Sequence, residues 1–149
     1  MMPYAFPSGV LLFRVEPETR SHYFNVYIWP KLGHSRQPST MRHYIRTYSD
    51  CRGINKSHAF TMDFTVGDRG TLPRGLLGQM HFAANCMTAD LITHECLHSA
   101  LVFGRWKKIN GVEIFNRLNP RNEAEERLCY ALGRLCHQVV TTAEAYGYL

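Results

Sequence analysis

Thr93-His94-Glu95-Cys96-Leu97-His98 is the stretch from which this chain is best interpreted, because it reads His-Glu-x-x-His. Two residues four positions apart share one face of a helix, so His94 and His98 can reach one metal ion with Glu95 beside them. A zinc ion bound in this way needs a third protein ligand and keeps one position for water. The motif is short enough to occur by chance, so the rest of the sequence must support it.

The residues around the motif predict a buried helix. Between residues 91 and 104 the ionisable side chains are His94, Glu95 and His98, apart from the thiol of Cys96. Apolar residues point all round the helix, which is typical of burial. Burying two imidazoles and a carboxylate is costly unless a partner compensates them, and a metal ion is such a partner. The alternative is a pair of core histidines bonded to the backbone.

Length and composition predict one folded domain, residues 1–149, with 45% hydrophobic and 19% charged residues. No apolar run is long enough to span a membrane, and residues 1–10 lack the pattern of a signal peptide. The five cysteines have no framework spacing, so we expect reduced thiols in the cytoplasm. Cys129 and Cys136 are expected to be small core residues.

The whole chain has a net charge of +5, and its excess of basic residues is concentrated in the first half. Such an excess is typical of a soluble surface, but it can also mark an acidic partner such as nucleic acid. A helix is predicted after Ser39-Thr40, on which Arg42 and Arg46 form a basic stripe. These two arginines are the candidate contacts to nucleic acid.

Alternation of apolar and polar residues predicts a small sheet. The predicted strands are 9–15, 22–29, 60–66 and 77–83. The last two are expected to pair as a hairpin and to lead into the helix of the motif, which Thr88 would cap and Gly104 would end. His81 and His137 are expected at the surface or its boundary.

A second long helix is predicted near the C-terminus, from Asn119-Pro120 to about residue 142, after a polar connection over 105–118. Its first turn offers three candidates for the third metal ligand: Glu123, Glu125 and Glu126. Periodicity favours Glu125, which lies near the middle of the leucine stripe of this helix. Glu126 shares a stripe with the small residues Cys129 and Gly133, which would permit close approach to the first helix. The alternative is that the three acids only interact with the helix dipole.

The segment from Gly78 to Gly133, with GQMHFAANCMTADLITHECLHSAL followed by EERLCYALG, resembles the small zinc metallopeptidases of phages and prophages. Those proteins combine a strand, a His-Glu-x-x-His helix and a later helix with Glu-x-x-x-Tyr-x-x-Gly. ImmA/IrrE and SprT-like domains are more distantly similar, although this chain lacks the downstream zinc ribbon of SprT-like proteins. Matched on Tyr130 and Gly133, the family glutamate falls on Glu126.

The resemblance implies a minimal zincin-like domain of the α+β class, with a small, mostly antiparallel sheet, an active-site helix and a long C-terminal ligand helix. His94, His98 and Glu126 would hold zinc, and Glu95 would take a proton from the zinc-bound water. The strand 77–83 would bind the substrate backbone by edge pairing. Tyr130 would support the oxyanion, unless it is a packed aromatic residue with its hydroxyl at the surface.

The leading hypothesis is therefore a zinc-dependent metallopeptidase that hydrolyses a peptide bond in a protein substrate. The alternative is a phage-type regulatory or counter-defence binding protein with a structural or vestigial zinc site, which contacts nucleic acid through Arg42 and Arg46. Glu95 argues against a purely structural site, because a structural zinc ion has no use for a neighbouring general base.

Overall fold

A computed structural model describes residues 4–49, 51, 53–67, 69–108 and 123–149. The described residues form four strands and three α-helices, which confirms the predicted α+β class. The strands are β1 (Leu11–Val15), β2 (Tyr23–Trp29), β3 (Ala59–Asp63) and β4 (Leu76–Ala83), and the helices are α1 (Met41–Ser49), α2 (Ala89–Trp106) and α3 (Glu123–Ala145). The predicted helix start at Asn119-Pro120 lies outside the described residues.

The sheet has the order β1-β2-β4-β3. The predicted hairpin is confirmed, because β3 and β4 are antiparallel neighbours, as are β1 and β2. The central pair β2 and β4 is parallel, so the sheet is mixed. This parallel pair requires a crossover, which contains α1 and β3 and leaves β3 at one edge of the sheet.

Helices cover both faces of this sheet. Alternate residues of β2 point to opposite faces: Phe24 and Val26 pack toward α2 and α3, whereas Tyr27 and Trp29 pack toward α1. All eight residues of β4 are buried, because helices cover both faces of the sheet to which its side chains point. The sheet therefore separates a mainly aliphatic core from a second core that is rich in aromatic residues, which we call the aromatic core.

His81 lies in the aromatic core and is fully buried, so the expectation of a surface position was wrong. Its Nδ1 accepts a hydrogen bond from Trp29 Nε1 at 2.9 Å, and Nε2 therefore carries the proton that it donates to Gln79 Oε1, also at 2.9 Å. The ring stacks on Tyr27 with a centroid distance of 4.8 Å. Burial lowers the pKa of His81 to about 3. The alternation of residues along β4 predicted that the face with His81 would be exposed, but α1 covers this face of the sheet.

The helix of the motif, α2, begins as predicted. Thr88 is the N-cap, and its side chain accepts a hydrogen bond from the backbone N–H of Leu91 at 3.2 Å. Gly104 does not end the helix, which continues to Trp106. No helix in the described parts of the chain is long and apolar enough to cross a membrane.

The last helix, α3, packs against α2 through one apolar stripe. Its buried residues are Leu128, Ala131, Leu135, Val139 and Ala143. Cys136 is half-buried against this core, but Cys129 is exposed, so the expectation of a core position was wrong for Cys129. All five cysteines are free thiols.

Candidate metal and active site

The two histidines of the motif lie next to each other on α2. Their Nε2 atoms are 3.2 Å apart, and their rings meet edge to face at 76°. Two nitrogens that bind one tetrahedral zinc ion at the usual bond length are separated by about 3.3 Å. The distance between His94 and His98 therefore fits a shared ion.

The predicted burial of these histidines was wrong. His94 and His98 are exposed, and the side chain of Leu97 between them is 44% exposed. The helix is amphipathic: Ile92 and Phe103 face the core, and the histidines face away from it. No desolvation cost therefore demands a metal ion here, and the distance between the two rings is the observation that favours one.

Glu95 is the buried member of the motif, with 4% of its surface exposed. The hydroxyl of Thr61 donates a hydrogen bond to Glu95 Oε2 at 2.5 Å and lies 3.3 Å from the backbone oxygen of the same residue. This contact ties α2 to β3 and orients the carboxylate. Thr61 was not predicted as a site residue, because its only sequence signal was a polar position in an alternating strand.

A cleft of about 360 Å³ runs between α2 and β3. His94, Glu95 and His98 line it from the helix, and Thr61 and Asp63 line it from the strand. The motif and the strand therefore face the same space.

The outer edge of β3 borders this cleft. The backbone N–H of Phe64 bonds to the oxygen of Leu77 at 2.9 Å, in register with the β3–β4 pairing. Backbone groups alternate in direction along an antiparallel strand, so those of Thr61 and Asp63 point away from β4. No described strand pairs with this edge. The expectation that strand 77–83 offers an edge was wrong, because β4 lies between β2 and β3.

The structure does not bring Glu126 to the histidines. Leu128 approaches α2 at Gly104, and the thiols of Cys96 and Cys136 lie close together, so the two helices run antiparallel in one register. This register sets Glu126 beside the last turn of α2, about 12 Å along the axis from the second histidine. The predicted ligand is therefore too distant in this packing.

Glu126 and Tyr130 line a separate cavity of about 400 Å³, together with Glu123. Tyr130 is 71% exposed there, away from the cleft that holds the motif. Glu125, the other candidate ligand, is half-buried on α3. Within the described ranges, no group of three or more His, Cys, Asp or Glu side chains is arranged to hold a metal ion.

The stripe of small residues does not form the helix contact that the sequence indicated. Gly133 is exposed, with open space where a side chain would lie, and Cys129 is exposed as well. The leucine stripe of α3 makes the contact instead. This rotation of α3 points Glu126 to solvent.

The two arginines of the basic stripe on α1 differ in their surroundings. The guanidinium of Arg42 donates from Nε and Nη2 to the backbone oxygen of Ser57, at 3.0 and 2.8 Å, and from Nη1 to that of Gly33 at 3.0 Å. It therefore fastens the segment that precedes β3. Arg46 is exposed.

Comparison with protein-family models, curated proteins and solved structures finds no match to this chain.

Proposed function

We propose that this chain is a zinc-dependent peptidase that cleaves a protein substrate in the cleft between α2 and β3. One observation carries the proposal: the Nε2 atoms of His94 and His98 are 3.2 Å apart, beside Glu95 and a strand edge that no described strand covers. The five free thiols fit a reducing cytoplasm as its location.

His94 and His98 would hold the ion, and their separation fits zinc. A bound zinc ion supplies a Lewis acid, which polarises a carbonyl group and lowers the pKa of water. Coordination by Glu126, as the family resemblance implies, would require α3 to pack against α2 in a different register. The proposal therefore rests on the histidine pair.

Glu95 acts as the general base of the proposed reaction. Its carboxylate takes a proton from the attacking water and returns it to the leaving amine. The hydroxyl of Thr61 restrains this carboxylate by its bond to Oε2. A base held in one position needs little reorganisation as the proton moves.

The edge of β3 binds the substrate in an extended conformation. The backbone N–H and C=O groups of Thr61 and Asp63 point to the free edge, where a peptide can add as a further strand. Because both residues line the cleft, a peptide paired with them passes alongside the motif.

The metal content of the purified protein tests the histidine pair. We expect about one zinc ion per chain in the wild type, loss of the ion in His94→Ala, and no change in His137→Ala. His137 is the matched control because it is exposed on α3. A wild-type protein that binds no zinc would contradict the proposal.

Hydrolysis of a mixture of synthetic peptides, read by mass spectrometry, tests the base. We expect Glu95→Gln to keep its zinc and to lose activity by at least about 100-fold. Thr61→Val should be slower than Thr61→Ser, which retains the hydroxyl. If Glu95→Gln hydrolyses the peptides as fast as the wild type, Glu95 is not the general base.

A further inference from the structure

The cleft extends along α2 beyond the histidines. Leu101 and Arg105 follow His98 at the third and seventh positions, which keeps them on the same helix face, and both line the cleft. Arg105 lies about 10 Å along the helix axis from His98. Along the cleft, the histidines of the motif are therefore followed by the apolar side chain of Leu101 and then by the cation of Arg105.

The guanidinium of Arg105 is anchored on one side. Its Nη2 lies 3.1 Å from Asp63 Oδ2, and its side chain is 62% exposed. Asp63 is held in turn by Thr65, whose N–H and hydroxyl donate to Oδ1 at 2.7 and 2.6 Å. Burial raises the pKa of Asp63, but the hydrogen bonds from Thr65 and Arg105 outweigh it and keep that pKa below its ordinary value.

This anchor leaves most of the guanidinium available to a ligand. Arginine carries five N–H donors in a planar fork that matches a carboxylate. Among the described residues, the partner to which the Arg105 side chain donates a hydrogen bond is Asp63. The ionised Asp63 thus orients Arg105 without enclosing it.

Charge is distributed unevenly along the cleft. Arg105 lies at the C-terminal end of α2 and is the one lysine or arginine among the described residues that line the cleft. At the other end, Asp90 lines a neighbouring pocket together with His94. A bound peptide therefore meets the guanidinium of Arg105, already paired with Asp63, at one end and the carboxylate of Asp90 near the other.

We propose that Arg105 is a carboxylate-binding subsite of the cleft. It selects peptides that carry an acidic group about three residues from the scissile bond, because an extended chain covers about 10 Å in three residues. The acidic group is an Asp or Glu side chain or the terminal carboxylate of a short peptide. The subsite rests on the proposed peptidase function, since the distance is counted from the histidine pair.

A positional peptide library tests the subsite. The probes are N-acetylated, C-amidated octapeptides with Glu or Gln at each position in turn, and mass spectrometry gives the cleaved bond. We expect kcat/KM to be about tenfold higher for Glu than for Gln three residues from that bond. The preference should vanish in Arg105→Gln and persist in Arg46→Gln, which removes an exposed arginine from α1. Peptides with a free C-terminus show whether a terminal carboxylate replaces Glu.

A binding measurement separates this proposal from the peptidase itself. Fluorescence anisotropy with Glu95→Gln and Glu95→Gln/Arg105→Gln reports affinity for the labelled Glu and Gln peptides without turnover. The subsite is overturned if Glu and Gln peptides are cleaved or bound equally well, or if Arg105→Gln prefers Glu as strongly as the unsubstituted protein does. Neither result contradicts the peptidase function. Selective, Arg105-dependent binding without hydrolysis by the wild type refutes the peptidase and supports Arg105 as a carboxylate-binding site of the cleft. Arg105→Lys, which keeps the charge but not the fork, serves as the second variant and should lose most of the selectivity.

Discussion

Acid should destabilise this protein through His81. The folded state holds the ring neutral, with a pKa of about 3, because it is fully buried. In the unfolded chain the same ring titrates near its ordinary pKa of about 6.5. Below that pH the unfolded state binds a proton that the folded state does not, so stability falls as the pH falls toward 3.

The size of the effect follows from the two pKa values. Between pH 8 and pH 5, His81 should lower the free energy of unfolding by about 2 kcal/mol. His81→Gln removes this titration and keeps one donor and one acceptor for Gln79 and Trp29. We expect the variant to be less stable at pH 8, because the stacking on Tyr27 is lost. The difference from the wild type should then narrow by about 2 kcal/mol at pH 5.

Urea unfolding, followed by tryptophan fluorescence at a series of pH values, measures this difference. A chelator in all samples keeps metal binding at the motif from adding its own pH dependence. His137→Gln is the matched control, since this histidine is exposed on α3 and lies outside the buried core. If wild type and His81→Gln lose equal stability between pH 8 and pH 5, the ring is not buried and neutral in the folded protein.

Three further substitutions test the packing, each by urea unfolding. Gly133→Ala should stabilise the chain by about 1 kcal/mol, because the residue is helical and its side-chain position is open; a loss of stability would show that α3 packs through this face. Gly78→Ala should destabilise it by at least about 2 kcal/mol, because the new methyl group would overlap the backbone oxygen of Met62; unchanged stability would argue against the β3–β4 register. Gln138→Ala should cost about 2 kcal/mol, because the side-chain amide bonds both the N–H and the C=O of Glu16 at 2.9 and 2.8 Å; an effect near zero would place α3 away from β1.

Local features of the sequence predicted the parts of the structure that depend on near neighbours. The spacing of His94 and His98 puts both rings together because the helix repeat alone places residues four apart on one face. Thr88 caps α2 because its side chain needs only the first turn of that helix. The hairpin of β3 and β4 was predictable because both strands alternate clearly and adjacent strands tend to pair.

The remaining features depend on packing between elements that are distant in the chain. Burial of His81 depends on α1 covering the second face of the sheet, and the free edge beside Thr61 depends on the crossover that leaves β3 outermost. Glu126 had a favourable spacing, but the register of α3 on α2 sets its distance from His94 and His98. The periodicity of the sequence indicates which side of a helix is apolar. The register of that helix along its neighbour is decided by the side chains that interlock between the two helices.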